Sequence, residues 1–196
     1  MSRRTLLAAT GLGAATAALL TAGQTVPGLA PLALLAPRDP RVGPQGIPVN
    51  RTAAQAGVLS TARDRAWRLT VLVGSAQREF SRQELLALPQ SRSELPIACV
   101  EGWSATATWD GVPVRDLLAA AGAPDGSALR LTSLERSGAY RVTEMPASYV
   151  ADPLTLVALG IAGQPLDLEH GYPARVIAPG RPGVLQTKWL SEIEVL

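Results

Sequence analysis

Glycine and proline punctuate this chain so densely that long elements have no room to form. Eighteen glycines and sixteen prolines are spread over 196 residues. A helix interior cannot pass a proline, and a central strand cannot donate through one, so the pieces left between them are short. Residues 67–73 read as a strand ended by Gly74. Within residues 80–88, Ser81 is placed to cap a short leucine-spaced helix that Pro89 closes. Residues 95–100 form a second strand, and residues 114–121 a helix ended by Gly122. Residues 129–133, 140–143, 174–178 and 193–196 are further strands, whereas 155–160 fits helix or strand equally. Short strands mixed irregularly with two or three short helices predict an α+β domain with mixed β-sheets, not a regular βαβ repeat. With 47% apolar and 17% charged residues, the chain can bury one good core and is neither a disordered chain nor a polytopic membrane protein.

The charge is unevenly placed. The formal net charge is +2, and Arg3 and Arg4 account for it, since the remaining bases and acids balance. A near-neutral body has no concentrated basic face, which argues against nucleic-acid binding. Ser2-Arg3-Arg4-Thr5-Leu6-Leu7 is followed by an uncharged run of Ala, Leu, Gly and Thr reaching Gly23. That segment resembles a twin-arginine export signal, so residues 1–36 are expected to be an export signal or a membrane anchor and the protein extracytoplasmic. Residues 37–47, with Pro37, Pro40, Gly43, Pro44 and Gly46, read as a linker that stays extended unless the domain pins it. The domain occupies 48–196.

Scarcity points to the chemistry. The chain has one Cys (Cys99), one His (His170) and one Lys (Lys188). A disulfide framework and a multi-histidine metal cage are thereby excluded. Cys99 stands at a strand end before Val100-Glu101-Gly102-Trp103, which weakens the reading of an inert buried thiol. His170 and Arg175 flank Gly171-Tyr172-Pro173-Ala174, and the Arg fork suits an anionic ligand such as phosphate. Lys188 follows Thr187 in a chain that otherwise uses Arg throughout.

These segments, in this order, resemble the molybdopterin-binding domain of the sulfite oxidase family. The likeness runs through Pro96-Ile97-Ala98-Cys99-Val100-Glu101-Gly102-Trp103, Thr108-Trp109-Asp110-Gly111-Val112-Pro113, His170-Gly171-Tyr172-Pro173-Ala174-Arg175 and Lys188-Trp189-Leu190. It covers 48–196 and is strongest toward exported bacterial members. The resemblance implies a sulfite-oxidase-type α+β fold and oxygen-atom transfer at a molybdenum held by one pyranopterin. Cys99 matches the thiolate that ligates the metal. His170, Arg175, Thr187 and Lys188 match cofactor contacts, the last three suiting its phosphate. Asn50, Arg51 and Thr52 match an N-terminal contact with the pterin, and backbone at Gly171, Gly180 and Gly183 is expected close to it. Glu101, Tyr140 and Arg141 are the candidates for lining the mouth, where a sulfite, sulfoxide or similar oxide would enter. An acid beside the metal disfavours a dianion. No haem-binding Cys-x-x-Cys-His is present, so the resemblance implies electrons exchanged with a separate haem or quinone partner, such as a membrane haem protein. Animal members continue into an immunoglobulin-like dimerisation domain, which does not follow Leu196, so a monomer is expected. Two other readings stand beside this one: a cofactor-free binding module that keeps the fold, and a thiol nucleophile, Cys99, with His170 as its base.

Overall fold

The computed structural model describes residues 43–99 and 103–196. The leader and the first part of the linker (1–42), together with Val100, Glu101 and Gly102, lie outside the described residues. Along the chain, helix α1 (Ala53–Ala56) precedes the hairpin β1 (Arg68–Val73) and β2 (Ala76–Ser81), and α2 (Arg82–Ala87) follows. The antiparallel pair β3 (Ser91–Ala98) and β4 (Ser104–Pro113) leads into α3 (Val114–Ala121). Then come β5 (Leu129–Ser133), β6 (Val142–Met145), α4 (Ala147–Ala151), β7 (Leu156–Ile161), β8 (Gln164–Pro165), β9 (Arg175–Ile177) and β10 (Leu190–Val195).

Among the described residues ten strands make two sheets, the first mixed and the second antiparallel throughout. The first has the order β2-β1-β10-β5-β6, with β1 and β10 parallel and its other pairs antiparallel. The second has the order β3-β4-β7-β8, with β9 also on β7. The fold is the expected α+β arrangement.

The main core lies between the sheets. Leu69, Val71, Leu129, Leu131 and Ile193 of the first sheet meet Val157, Leu159 and Val176 of the second and Val114, Leu117 and Leu118 of α3. The spacing 114, 117, 118 places these three on one helical face, and Gly122 ends α3 with φ 79. Leu117 is wholly buried. Leu117→Ala should therefore cost about 2–5 kcal/mol in a denaturant titration of the unloaded protein. A second core sits on the other face of the second sheet, where Leu156 and Ala158 of β7 join Leu95, Ile97, Trp109 and Ile177. Strand β7 is thus buried on both faces, which removes the alternation that marks a half-exposed strand and explains why 155–160 looked ambiguous.

Several boundaries differ from the expectation. Strand β2 has only Phe80 buried, and its polar, exposed edge carries no apolar signal. Strand β4 is a ten-residue strand of Ser, Ala and Thr with Gly111 and Pro113 near its end. At Gly111 the ladder with β7 shifts register, and an added Cβ would lie 2.2 Å from the Val157 carbonyl oxygen, so glycine there allows a close backbone approach. Residues 140 and 141 belong to a turn closed by Arg141 N–H on the Gly138 carbonyl (3.2 Å), and β6 begins only at Val142. Strand β3 starts at Ser91 and β10 at Leu190, each earlier than their apolar ends suggested.

The end of the linker is pinned. Ile47 is buried in the second core, and Gln45 bonds both the Pro165 carbonyl (3.0 Å) and the Asp167 N–H (2.8 Å). Residues 44–51 consequently form one wall of a cleft.

Candidate functional site

Four segments converge, beside Glu135 and Tyr140, on an open cleft. They are the pinned strap at Ile47, Pro48, Asn50 and Arg51; the end of β3 at Ile97 and Cys99; the turn at His170 leading to Arg175; and residues 183–188 before β10.

Cys99 is half-buried at the point where the chain leaves β3. Its N–H donates to the Trp103 carbonyl (2.9 Å), which closes the reversal that carries both side chains into the cleft. Asn50 bridges them: its Nδ2 donates to Cys99 Sγ (2.6 Å), and its Oδ1 accepts from Trp103 Nε1 (2.8 Å). Gly183 packs so closely behind β3 that an added Cβ would lie 2.8 Å from the Ala98 carbonyl oxygen.

His170 ends a short 3-10 turn whose start is capped by Asp167, with Glu169 N–H on the Asp167 carboxylate (2.8 Å). Its Nε2 lies 2.5 Å from the Pro44 carbonyl oxygen. A carbonyl only accepts, so Nε2 carries the proton. Desolvation pushes the imidazole down to about 4, against the Pro44 bond, which favours protonation, and the nearby Arg175 and Lys188 charges lower it further. His170 is therefore neutral at pH 7 and a weak base, with its Nε2 proton committed to backbone, and the arrangement gives little to a thiol–base pair.

Gly171, at φ 106, turns the chain where a Cβ would press on Lys188 Cβ and Arg175 Cβ at 3.1 Å. That close approach brings the two cations to the same side of the cleft. Arg175 is 2% exposed, donates to the carbonyls of His170 (3.2 Å) and Gln186 (3.3 Å), and stacks over Trp109 at 4.9 Å. Burial alone pushes its guanidinium down to about 9. Lys188 Nζ donates to the carbonyls of Arg51 (2.6 Å) and Glu169 (2.9 Å) and lies 4.2 Å from the centre of the Trp189 ring. Burial first, and the Arg175 charge second, push its ammonium down to about 7. Neither cation is within ion-pair distance of a carboxylate among the described residues. Two buried polar atoms of cleft residues, Arg175 Nε and Gln186 Oε1, have no hydrogen-bond partner among the described residues. Buried charge without a counter-charge is costly, and aromatic faces offset only about 0.5–2 kcal/mol per cation. The floor of the cleft is built for an anion with several acceptor oxygens.

The remaining expected residues divide. Thr187 is buried at the cleft, its hydroxyl 3.0 Å from that of Thr143. Tyr140 lines the mouth and is half exposed, and Arg51 there pairs with Glu135 (2.6 Å). Thr52 is outside the lining, its hydroxyl accepting from Gln55 N–H to cap α1 (3.2 Å). Arg141 is also outside it, donating to the Glu135 carbonyl (2.9 Å) from an exposed turn. Gly180 is not among the lining residues, whereas Trp103, Glu135, Val184 and Gln186 are, without having been singled out from the sequence. Gln186, adjacent to Thr187, is the one that a search around the lone lysine could have found. Trp189, wholly buried with φ 50, is a strained residue immediately after Lys188.

Residues 56–196 match the family described as oxidoreductase molybdopterin binding domain. The chain is 32% identical over 133 residues to the protein-methionine-sulfoxide reductase catalytic subunit of Gluconobacter oxydans, covering 58% of this chain and 41% of that protein. It is 33% identical over 105 residues to the mitochondrial sulfite oxidase of Rattus norvegicus, covering 48% and 18% respectively. The crystal structure of the sulfane dehydrogenase SoxCD from Paracoccus pantotrophus superimposes with a TM-score of 0.60 at 25% identity, covering 67% of this chain and 38% of that one. The chain thus spans less than half the length of each of these relatives.

Proposed function

Because the chain belongs to the molybdopterin-binding oxidoreductase family of the sulfite oxidase type, we propose that it is an exported enzyme that transfers an oxygen atom to or from a small oxide. The observation that carries this reading is the pair of buried cations, Arg175 and Lys188, without carboxylate partners among the described residues, on the floor of the cleft that Cys99 also lines. The fit to molybdopterin is chemical. Arg175 Nε, Lys188 Nζ and the Thr187 hydroxyl are donors suited to its phosphate, and Gln186 Oε1 is an acceptor suited to the N–H groups of its pterin. Cys99 offers the soft sulfur that molybdenum takes from a protein. When bound, the group would supply oxygen-atom transfer coupled to a two-electron change at the metal.

The chain's own residues do the rest. Arg175 and Lys188 neutralise the anion and anchor it. His170, held by Pro44, fixes the strap over the cleft and keeps its ring neutral. Cys99 holds the metal, with Asn50 and Arg51 on the strap side. Tyr140 and the Arg51–Glu135 pair shape the mouth, through which a sulfite, sulfoxide or similar oxide enters; Glu101 and Arg141 lie near it in sequence. Electrons would be exchanged with a separate haem or quinone partner, such as a membrane haem protein. We assign residues 1–36 to export by the twin-arginine route or to anchoring, 37–47 to a linker and 48–196 to the domain, acting as a monomer. Among the described residues no helix is long and apolar enough to cross a membrane.

The test is to purify the full chain from a host that makes molybdopterin and assay it with a redox dye against sulfite, sulfoxides and N-oxides. Turnover on one of these classes supports the reading. A molybdenum-loaded protein inert to all three contradicts it.

The depressed Lys188 sets a pH dependence. Folded Lys188 holds its proton only below about 7, whereas the unfolded side chain holds it to its ordinary value of 10.5. Between those values the unfolded state binds the extra proton, so the cofactor-free protein gains stability as pH rises from 7 to 9. His170, shifted from 6.5 to about 4, contributes in the same direction but at lower pH. Melting temperatures of unloaded protein should rise over pH 7–9, less so in Lys188→Met. Loaded protein should lack the rise, because a bound phosphate restores the ammonium's affinity for its proton.

A further inference from the structure

We propose that Asn50 is a positioning residue for Cys99, held in one orientation by Trp103 so that its amide N–H is always aimed at the sulfur. The inference rests on the assignment of Cys99 as the metal ligand. Its basis is the directionality of three groups. Trp103 Nε1 has a proton and no lone pair, so it can meet only the oxygen of the Asn50 amide, at 2.8 Å. With Oδ1 fixed there, Nδ2 must face Cys99 Sγ, where it lies at 2.6 Å. Rotating the amide by 180° would set N–H against N–H at Trp103 and oxygen against sulfur at Cys99. The first contact would be repulsive, and so would the second once the sulfur is metal-bound and carries no proton.

The supports of this arrangement are buried or hydrogen-bonded to backbone. Trp103 is 8% exposed and packs in the second core with Ile97 and Ile47. The Cys99 N–H bond to the Trp103 carbonyl ties both ends of the reversal together. Asn50 itself is anchored between Ile47, buried in the core, and Arg51, whose carbonyl receives Lys188 Nζ. The strap, the cysteine turn and the cofactor floor are therefore joined through one side-chain amide.

An N–H donor on a metal-bound sulfur withdraws electron density from it, weakens its donation to the metal and favours the reduced state. Asn50 thus sets the ease of reduction at the centre, and Trp103 guarantees the sign of that effect. A residue serving only to latch the turn would leave the potential unmoved.

The experiment uses molybdenum-loaded full chain as wild type, Asn50→Leu and Trp103→Phe. Redox titration is followed by the paramagnetic Mo(V) signal, and metal content is measured on the same samples. Asn50→Leu should make the centre harder to reduce by about tenfold in the ratio of oxidised to reduced metal, the worth of one hydrogen bond, or 59 mV for a one-electron step. Trp103→Phe should move it in the same direction by less, because the freed amide samples both orientations. Unchanged potentials in both loaded variants overturn the proposal. Should a variant fail to load, the cofactor-free proteins decide by two-dimensional ¹H–¹⁵N spectra. The Asn50 side-chain amide pair should shift in Cys99→Ala and the Trp103 indole N–H in Asn50→Leu. Static resonances overturn the proposal. A wild type without molybdenum instead defeats the cofactor assignment, and the spectra then judge the Asn50 contact alone.

Discussion

Cys99→Ser, made in a host that supplies molybdopterin, is expected to lose at least about a thousandfold in kcat/KM, roughly 4 kcal/mol at about 1.4 kcal/mol per tenfold. Serine keeps the size and the half-exposed position, and its hydroxyl can still accept the Asn50 amide, so the fold should survive. What it cannot supply is a soft anionic sulfur, since an alcohol holds its proton far more tightly than a thiol does. Melting within a few degrees of wild type, with activity gone, places the loss in the chemistry. Retained turnover in Cys99→Ser would remove the cysteine from the reaction.

The second large effect separates loading from folding. Arg175→Met should weaken cofactor retention by roughly 30-fold to several thousandfold, the consequence of removing one partner of a buried charge pair worth about 2–5 kcal/mol. The unloaded protein should change far less. There the guanidinium is desolvated with no carboxylate partner among the described residues, and relief of that burden offsets the donors lost by the carbonyls of His170 and Gln186. Arg175→Lys keeps the charge but loses the planar fork and should fall between. Arg181 provides the control: it is equally buried, donates to the carbonyls of Leu185 (2.9 Å) and Glu144 (2.8 Å), and lies outside the cleft lining. Arg181→Met should cost stability and leave loading intact. Dialysis of loaded protein followed by metal and phosphate analysis reads the difference. Equal retention in Arg175→Met and wild type would refute the anion floor.

Much of this was legible in sequence where the signal is local. Helix α3 has its apolar face at 114, 117 and 118 and its Gly122 stop, and β5 alternates buried and half-exposed residues along Leu129–Ser133. Both were read with the boundaries the structure has. Strand β7 hid because both faces are buried, β2 because neither face carries an apolar stripe, and β4 because its Thr-Ala run is punctuated by the glycine that a close approach to Val157 demands. For the cleft, rarity was the guide: the lone Cys, His and Lys all line it. Which residues pair within it was hidden by distance along the chain, even where, as for Asn50, the residue itself was a candidate. Asn50 and Trp103 are 53 residues apart and Pro44 and His170 are 126 apart, and no spacing rule connects such pairs. Thr52 shows the converse, a residue beside Arg51 whose hydroxyl is engaged in capping α1.

Arg175 and Lys188, without carboxylate partners among the described residues, are proposed to form one cofactor site with the single thiol. The most direct test is the molybdenum and organic-phosphate content of the folded wild-type chain purified from a molybdopterin-competent host. About one of each per chain is expected, released together on denaturation. A fully folded wild type holding neither would contradict it.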